Sequence, residues 1–170
     1  QNDDHLPHEA ANYQQFPDWF FQHWSGYNVV KPLLDPTPCG ALVPNFYGYY
    51  VPESPEAPSY LSPILLLEYC GVPIEPEKLS IDDKQEAAAL FLLLSSAGWV
   101  QNSIAARNVL VQAGPLSDWP LMRITNMPPK SSFRLIDFGR ARKVEEYPVA
   151  QETQAMELFE LGIFNKGPYY

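Results

Sequence analysis

The sequence predicts a single domain of the mixed α+β class. Its 170 residues are close to the roughly 150 that are typical of one domain. Hydrophobic residues make up 46% of the chain and charged residues 18%, which is enough apolar surface to bury a core. The 18 prolines interrupt helices, so a helical bundle or coiled coil is excluded. Helix is therefore expected in a few stretches, between short strands.

The first part of the chain combines one helix with two strand-forming runs. Residues 1–8 are polar and are expected to form a loose lead-in, whereas residues 9–16 can form a helix. Residues 31–40 contain three prolines and are expected to be a connector. Residues 42–50 are rich in strand formers. Residues 64–69 are a short, continuous apolar run, which predicts a buried strand.

The clearest helix signal follows Ser80. The Ser80 hydroxyl can accept a hydrogen bond from the amide three residues on, and Asp82 and Asp83 favour the positive end of the helix dipole. Residues 87–94 are apolar almost all round, so we expect this helix to be central and buried, ending at Gly98.

Two short strands and a last helix complete the predicted elements. Strands are predicted at residues 109–111 and 134–136, and the second runs directly into Asp137-Phe138-Gly139. We expect the helix that begins at Ser80 to pack under the hairpin of these strands. A further helix is predicted at residues 152–164.

Charge and cysteine content restrict the possible partners and compartment. Lys and Arg number 11 and Asp and Glu 20, for a formal charge of −9, which disfavours binding to nucleic acid or to an anionic membrane surface. The longest apolar run, residues 87–94, is far shorter than the ~18 residues of a membrane span. No signal-peptide pattern is visible. Cys39 and Cys70 are best interpreted as reduced thiols of an intracellular protein, which we expect to be cytoplasmic.

The order of three weak motifs carries the functional signal. A buried helix is followed by residues 98–111, which contain Arg107-Asn108 before an apolar triplet, and then by residues 133–139, which end in Asp-Phe-Gly. This order resembles the centre of a eukaryotic protein kinase, in the form found in fungi. Residues 65–71 resemble the hinge strand that joins the two lobes, and Glu9 falls where the regulatory helix carries its glutamate.

The resemblance implies a protein-kinase-like α+β fold with a reduced amino-terminal lobe and a truncated, helical carboxyl-terminal lobe. The whole chain, residues 1–170, is then one domain. Residues 9–69 are a remnant of the small lobe with the hinge strand, and residues 70–170 are an abbreviated large lobe. Phe138 is expected to pack under the regulatory helix.

The resemblance also implies a site for Mg·ATP. Asn108 and Asp137 match the two metal ligands, which suits the preference of Mg²⁺ for hard oxygen atoms. Glu9, Glu68 and Cys70 match positions around the nucleotide. The alternative interpretation is that Asp137 is a turn aspartate and Asn108 a loop asparagine.

Two departures from the family pattern argue against activity. Gln101, Asn102 and Ser103 stand where the family has His-Arg-Asp, so Ser103 replaces the catalytic aspartate and cannot serve as a comparable base at neutral pH. No glycine-rich loop or phosphate-binding lysine precedes Glu9, and 170 residues are few for a complete kinase. The sequence thus predicts a catalytically impaired, pseudokinase-like domain with residual Mg·ATP-binding residues.

Two other functions remain open. One is an active serine/threonine-type protein kinase whose missing strands lie upstream. The other is an acidic interaction module on a kinase-like scaffold that binds a protein partner and no small ligand. The three histidines, His5, His8 and His23, have no nucleophile near them in sequence and are expected to be surface or packing residues.

Overall fold

The computed structural model describes residues 4–22, 24–26, 37–39, 41–53, 62–113, 131–144 and 162. Its two α-helices are α1 (His5–Gln15) and α2 (Ile81–Ser96). Its strands are β1 (Trp24–Gly26), β2 (Thr37–Cys39), β3 (Phe46–Tyr50), β4 (Ile64–Leu67), β5 (Val72–Pro73), β6 (Trp99–Val100), β7 (Val109–Ala113), β8 (Ser131–Leu135) and β9 (Arg142–Lys143). The mixed α+β class predicted from the sequence is therefore confirmed for these residues.

The described strands form small antiparallel sheets rather than one large sheet. Strand β1 pairs with β2, β3 with β4 and β6 with β9, while β7 lies between β5 and β8 in a three-stranded sheet. In the β7–β8 hairpin Val109 lies opposite Leu135, and Ala113 lies opposite Ser131. Both predicted strands are present, and β8 starts three residues earlier than expected because residues 131–133 pair with the end of β7.

Helix α2 begins as the sequence predicts. The amide of Asp83 donates to Ser80 Oγ at 3.1 Å, which satisfies one of the N–H groups that the first turn leaves unpaired. Ala87, Phe91 and Leu94 are fully buried, and the helix packs against β8 and β6. Leu92 is 52% exposed, so the apolar second half of the helix is not buried all round, in contrast to the expectation.

Two local expectations are wrong. Strand β4 is not buried on both faces: its side chains alternate, and Ile64 and Leu66 are 60% and 47% exposed. The reason is that β3 and β4 form a two-stranded antiparallel sheet, of which one face covers the core. Helix α1 starts at His5, within the segment expected to be a loose lead-in.

Aromatic side chains pack α1 against the segment that follows β8. Phe138 is fully buried, and its ring lies edge-on to Tyr13 and Phe16, with centroid distances of 5.5 and 4.9 Å. Phe16 in turn meets Trp99 edge-on at 4.8 Å. Such edge-to-face pairs are favourable beyond the area that they bury. Phe138 thus packs against α1 as expected, and the contact places the start of α1 beside Asp137.

Some of the sequence expectations lie outside the described residues. These are the helix at residues 152–164 and most of the connector at residues 31–40. Among the residues that the structure describes, neither helix is long and apolar enough to cross a membrane.

Replacement of the α2 cap tests the fold. Ser80→Ala removes the acceptor for the Asp83 amide, and we expect the free energy of unfolding to fall by about 1 kcal/mol. The measurement is urea denaturation followed by circular dichroism. Ser96→Ala, near the other end of α2, serves as the control, since its hydroxyl only donates to a carbonyl of the same helix. An equal loss in both variants would contradict the capping role.

Candidate functional site

The chain makes an unusual turn at Asp137, two residues after β8 ends. Asp137 has φ +63°, in the left-handed region that non-glycine residues seldom adopt. Asparagine and aspartate tolerate it best, but it still has an energetic cost, and such residues persist where surrounding contacts hold them. Here the Ile136 amide donates to the Asn108 carbonyl at 2.9 Å, and the buried Gln101 side chain donates to the Ile136 carbonyl. These bonds hold the backbone just before the turn.

One oxygen of the Asp137 carboxylate is held by two donors. Ser103 Oγ donates to Oδ2 at 3.0 Å, and Asn108 Nδ2 donates to the same oxygen at 2.9 Å. Asn108 Nδ2 also donates to the Ser103 carbonyl at 2.7 Å. A backbone carbonyl can only accept, so the nitrogen side of the amide must face this group. The sequence-predicted residues Ser103, Asn108 and Asp137 thus form one hydrogen-bonded cluster.

The other oxygen of Asp137 lies in a different environment. Oδ1 is buried and accepts no hydrogen bond from the described residues, although the whole side chain is 26% exposed. Its neighbour is His5, whose Nε2 lies 3.4 Å away. Buried carboxylate oxygens are normally hydrogen-bonded, so an oxygen without a donor marks a position where a ligand could supply the partner.

Glu9 is the second carboxylate of the site. It is buried, and its Oε1 accepts from the Phe138 amide at 3.1 Å. Burial raises the pKa of Glu9, and the nearby charge of Asp137 raises it further, while the hydrogen bond from Phe138 and the proximity of His5 oppose the shift. One side-chain ligand atom from each of His5, Glu9 and Asp137 lies within 4.8 Å of the other two.

Gly139 provides room for this arrangement. A Cβ placed on residue 139 would overlap the imidazole of His5. The requirement at this position is therefore space rather than backbone freedom, because the ring of His5 packs directly on the glycine. The Asp-Phe-Gly segment contributes a carboxylate, a buried ring and space for the histidine.

Asn12 completes the attachment of α1 to this segment. Its Nδ2 is buried and donates to the carbonyls of Phe138 and Ala141 at 2.7 and 3.0 Å. The described contacts of Asn12 and Glu9 therefore bind both the N–H and the C=O of Phe138 to one face of α1. The helix cannot move relative to the turn without breaking these buried bonds.

Glu68 and Cys70, which the sequence predicts near the nucleotide, have described contacts of their own. The Glu68 carboxylate accepts from the backbone and side-chain N–H groups of Asn45, both at 3.0 Å. Cys70 is a buried thiol that donates to the Glu68 carbonyl at 3.6 Å. Neither has a described contact with the Asp137 cluster.

An open cavity of about 410 Å³ lies at the end of the β7–β8 hairpin that is farther from Asp137, where Ala113 and Ser131 form part of its lining.

Sequence reasoning missed His5 and Asn12. His5 was expected to be a surface or packing residue, but it lies one helical turn before Glu9, on the same face of α1. The i, i+4 spacing of His5 and Glu9 indicates a shared helix face only if the helix includes His5. The helix predicted from the sequence begins at residue 9 and therefore does not contain this pair.

No protein-family model and no curated protein matches this chain.

Truncation of Asn12 tests the attachment of α1. We expect Asn12→Ala to lower the free energy of unfolding by about 1–3 kcal/mol, because a buried carbonyl loses its donor. Gln15→Ala is the matched control on the same helix, since its side chain is exposed and donates only to Ala11; we expect a change of about 0.5 kcal/mol or less. Chemical denaturation measures both, and equal losses would show that the Asn12 contacts do not hold the helix.

Glu9→Gln tests the buried carboxylate in metal-free buffer. The pKa of Glu9 is raised above its ordinary value of 4.5 in the folded protein, so the folded protein retains this proton to higher pH than the unfolded chain. The free energy of unfolding of the wild type therefore falls as pH rises through that interval. Glutamine keeps the acceptor for the Phe138 amide and has no such loss.

The stability of Glu9→Gln relative to wild type should therefore increase from pH 4 to pH 8. Urea denaturation at several pH values measures this difference, with Glu77→Gln, an exposed site, as the control. A difference that does not change with pH would contradict the assignment.

Proposed function

We propose that this domain is a protein-kinase-like module that binds a magnesium–nucleotide complex and lacks an effective catalytic base. One observation carries the proposal: Ser103, Asn108 and Asp137 meet in a single hydrogen-bonded cluster. These three positions correspond, by the sequence resemblance, to the base and the two metal ligands of that family, with serine in place of the base. The cluster lies where the loop before β7 meets the turn after β8.

The donor atoms of the cluster suit Mg²⁺. Asn108 has an amide oxygen and Asp137 a carboxylate, and Mg²⁺ prefers such hard oxygen ligands while it keeps several waters. Asp137 Oδ1 has no hydrogen-bond donor among the described residues, so its lone pairs are available to a cation. When bound, Mg²⁺ would offset the negative charge of the β- and γ-phosphates.

Ser103 cannot replace the missing aspartate. Its hydroxyl donates to Asp137 Oδ2 at 3.0 Å and lies 3.2 Å from the Asn108 amide nitrogen, from which it accepts. It therefore orients the Asp137 carboxylate and offers no site for a substrate proton. A positioned base contributes about 10²–10⁴ in rate, so transfer is slow, whereas nucleotide binding does not require this group.

The environment of Asp137 favours a ligand-binding domain over a module without a small ligand. In such a module we would expect the carboxylate to be sealed against an arginine or under a bulky aromatic ring. The described polar contacts of Asp137 are instead with Ser103, Asn108 and His5. Its side chain is 26% exposed as a whole, while Oδ1 itself is buried.

Thermal denaturation with Mg·ATP tests the proposal. We expect millimolar Mg·ATP to raise the melting temperature of the wild type, and the increase to disappear in Asp137→Asn, because the amide cannot replace the carboxylate at the metal. Glu53→Gln, an exposed carboxylate, is the control and should respond as the wild type does. No increase in the wild type would overturn nucleotide binding.

Transfer of radiolabel from the γ-phosphate of ATP tests the predicted impairment. We expect no label above background on the protein or on a generic acceptor such as casein. Labelling that is lost in Asp137→Asn would overturn the impaired function in favour of an active kinase.

A further inference from the structure

A second set of side chains meets Asp137 from the side opposite Ser103 and Asn108. His5 and Glu9 lie one turn apart on α1, so their side chains share a helix face. That face lies against the residues that follow β8, where Glu9 accepts from the Phe138 amide. Together with Asp137 they bring an imidazole nitrogen and two carboxylate oxygens within 4.8 Å of one another.

The Asp137 carboxylate is already oriented toward this set. Ser103 and Asn108 both donate to Oδ2, so the direction of Oδ1 is fixed without its own hydrogen bond. Outer partners of this kind orient metal ligands in proteins and are a large part of metal affinity. The His5 ring packs on Gly139, where a side chain would exclude it.

The charges of the cluster favour a bound cation. Two carboxylates face each other at short range, and Glu9 is buried. Close like charges in a buried site are unfavourable unless a cation or a proton lies between them.

We propose that His5, Glu9 and Asp137 form a binding site for a divalent transition-metal ion such as Zn²⁺, which binds without nucleotide and in preference to Mg²⁺. An imidazole ligand suits transition metals, whereas Mg²⁺ and Ca²⁺ are bound mainly through oxygen. Three protein ligands leave a fourth position for water, as in open zinc sites. The site shares Asp137 with the proposed nucleotide site but uses different partners.

The geometry requires only a small contraction. With metal–ligand bonds of about 2.0–2.2 Å, tetrahedral ligand atoms lie roughly 3.3 Å apart. His5 Nε2 and Asp137 Oδ1 are already at 3.4 Å. The remaining separations, up to 4.8 Å, can close by rotation of the partly exposed His5 side chain and a small shift of the carboxylates.

Titration of the metal-free full chain with Zn²⁺ alone tests the site. Isothermal titration calorimetry gives the number of ions bound, and competition with a zinc-binding indicator gives the affinity. We expect His5→Asn to weaken binding of one ion at least tenfold, since loss of even an outer partner weakens metal affinity 10–100-fold. His8→Asn is the matched control, because His8 is exposed on the same helix, and it should bind as the wild type does.

Gly139→Ala is a second test that leaves all three ligands in place. A methyl group at this position overlaps the His5 ring, so we expect it to weaken Zn²⁺ binding in the same direction as His5→Asn. Circular dichroism verifies that each variant is folded. Since His5 is partly exposed, His5→Asn is expected to fold normally.

Three results would overturn the proposal. They are unchanged Zn²⁺ affinity in His5→Asn, an equal loss in His8→Asn, and displacement of Zn²⁺ by an equal concentration of Mg²⁺. The test is separate from that of the proposed function because no nucleotide is present. If Zn²⁺ binding depends on His5 but Mg·ATP has no effect on melting, the transition-metal site is supported and nucleotide binding is not. If Mg·ATP raises the melting temperature but Zn²⁺ binding does not depend on His5, only the transition-metal site is overturned.

Discussion

The attachment of α1 to the turn after β8 is the constraint on which the rest of the site depends. Glu9 accepts from the Phe138 amide, and Asn12 donates to the Phe138 carbonyl across 126 positions of sequence. Both side chains are buried, so each bond that breaks leaves a polar group without a partner, at a cost of about 1–3 kcal/mol. The Phe138 ring adds apolar contact on the same face. This combination fixes α1 in one orientation and so determines what surrounds Asp137.

The left-handed backbone at Asp137 gives its carboxylate two different sides. Ser103 and Asn108 donate to Oδ2, while Oδ1 lies 3.4 Å from His5 Nε2. Ser103 thus has a structural role that an aspartate at the same position could not fill, because a second carboxylate cannot donate to the first. One residue, Ser103, therefore both orients Asp137 and occupies the position at which the sequence resemblance expects a catalytic aspartate.

The elements that the sequence predicted well have local signals. Helix α2 starts at a serine cap with two acidic residues in its first turn, and β7 begins with an apolar run, residues 109–111. Helix α1 has no comparable signal at its start, since the side chain of Asp4 makes no capping hydrogen bond. Its first turn is instead held by contacts with the turn at residues 137–139. The exposure of β4 has no local signal either, because it depends on what covers each face of its sheet.

By itself, the sequence determined the mixed α+β class, the start of α2, and the expectation that Asn108 and Asp137 lie at one site. These follow from composition, from caps that act within four residues, and from the order of motifs along the chain. Only the tertiary structure decided that His5 and Glu9 join Asp137, and that Glu68 and Cys70 have their described contacts elsewhere. The first of these outcomes depends on the packing of side chains more than a hundred positions apart, in which buried polar groups must find partners. No local pattern in the sequence records that requirement.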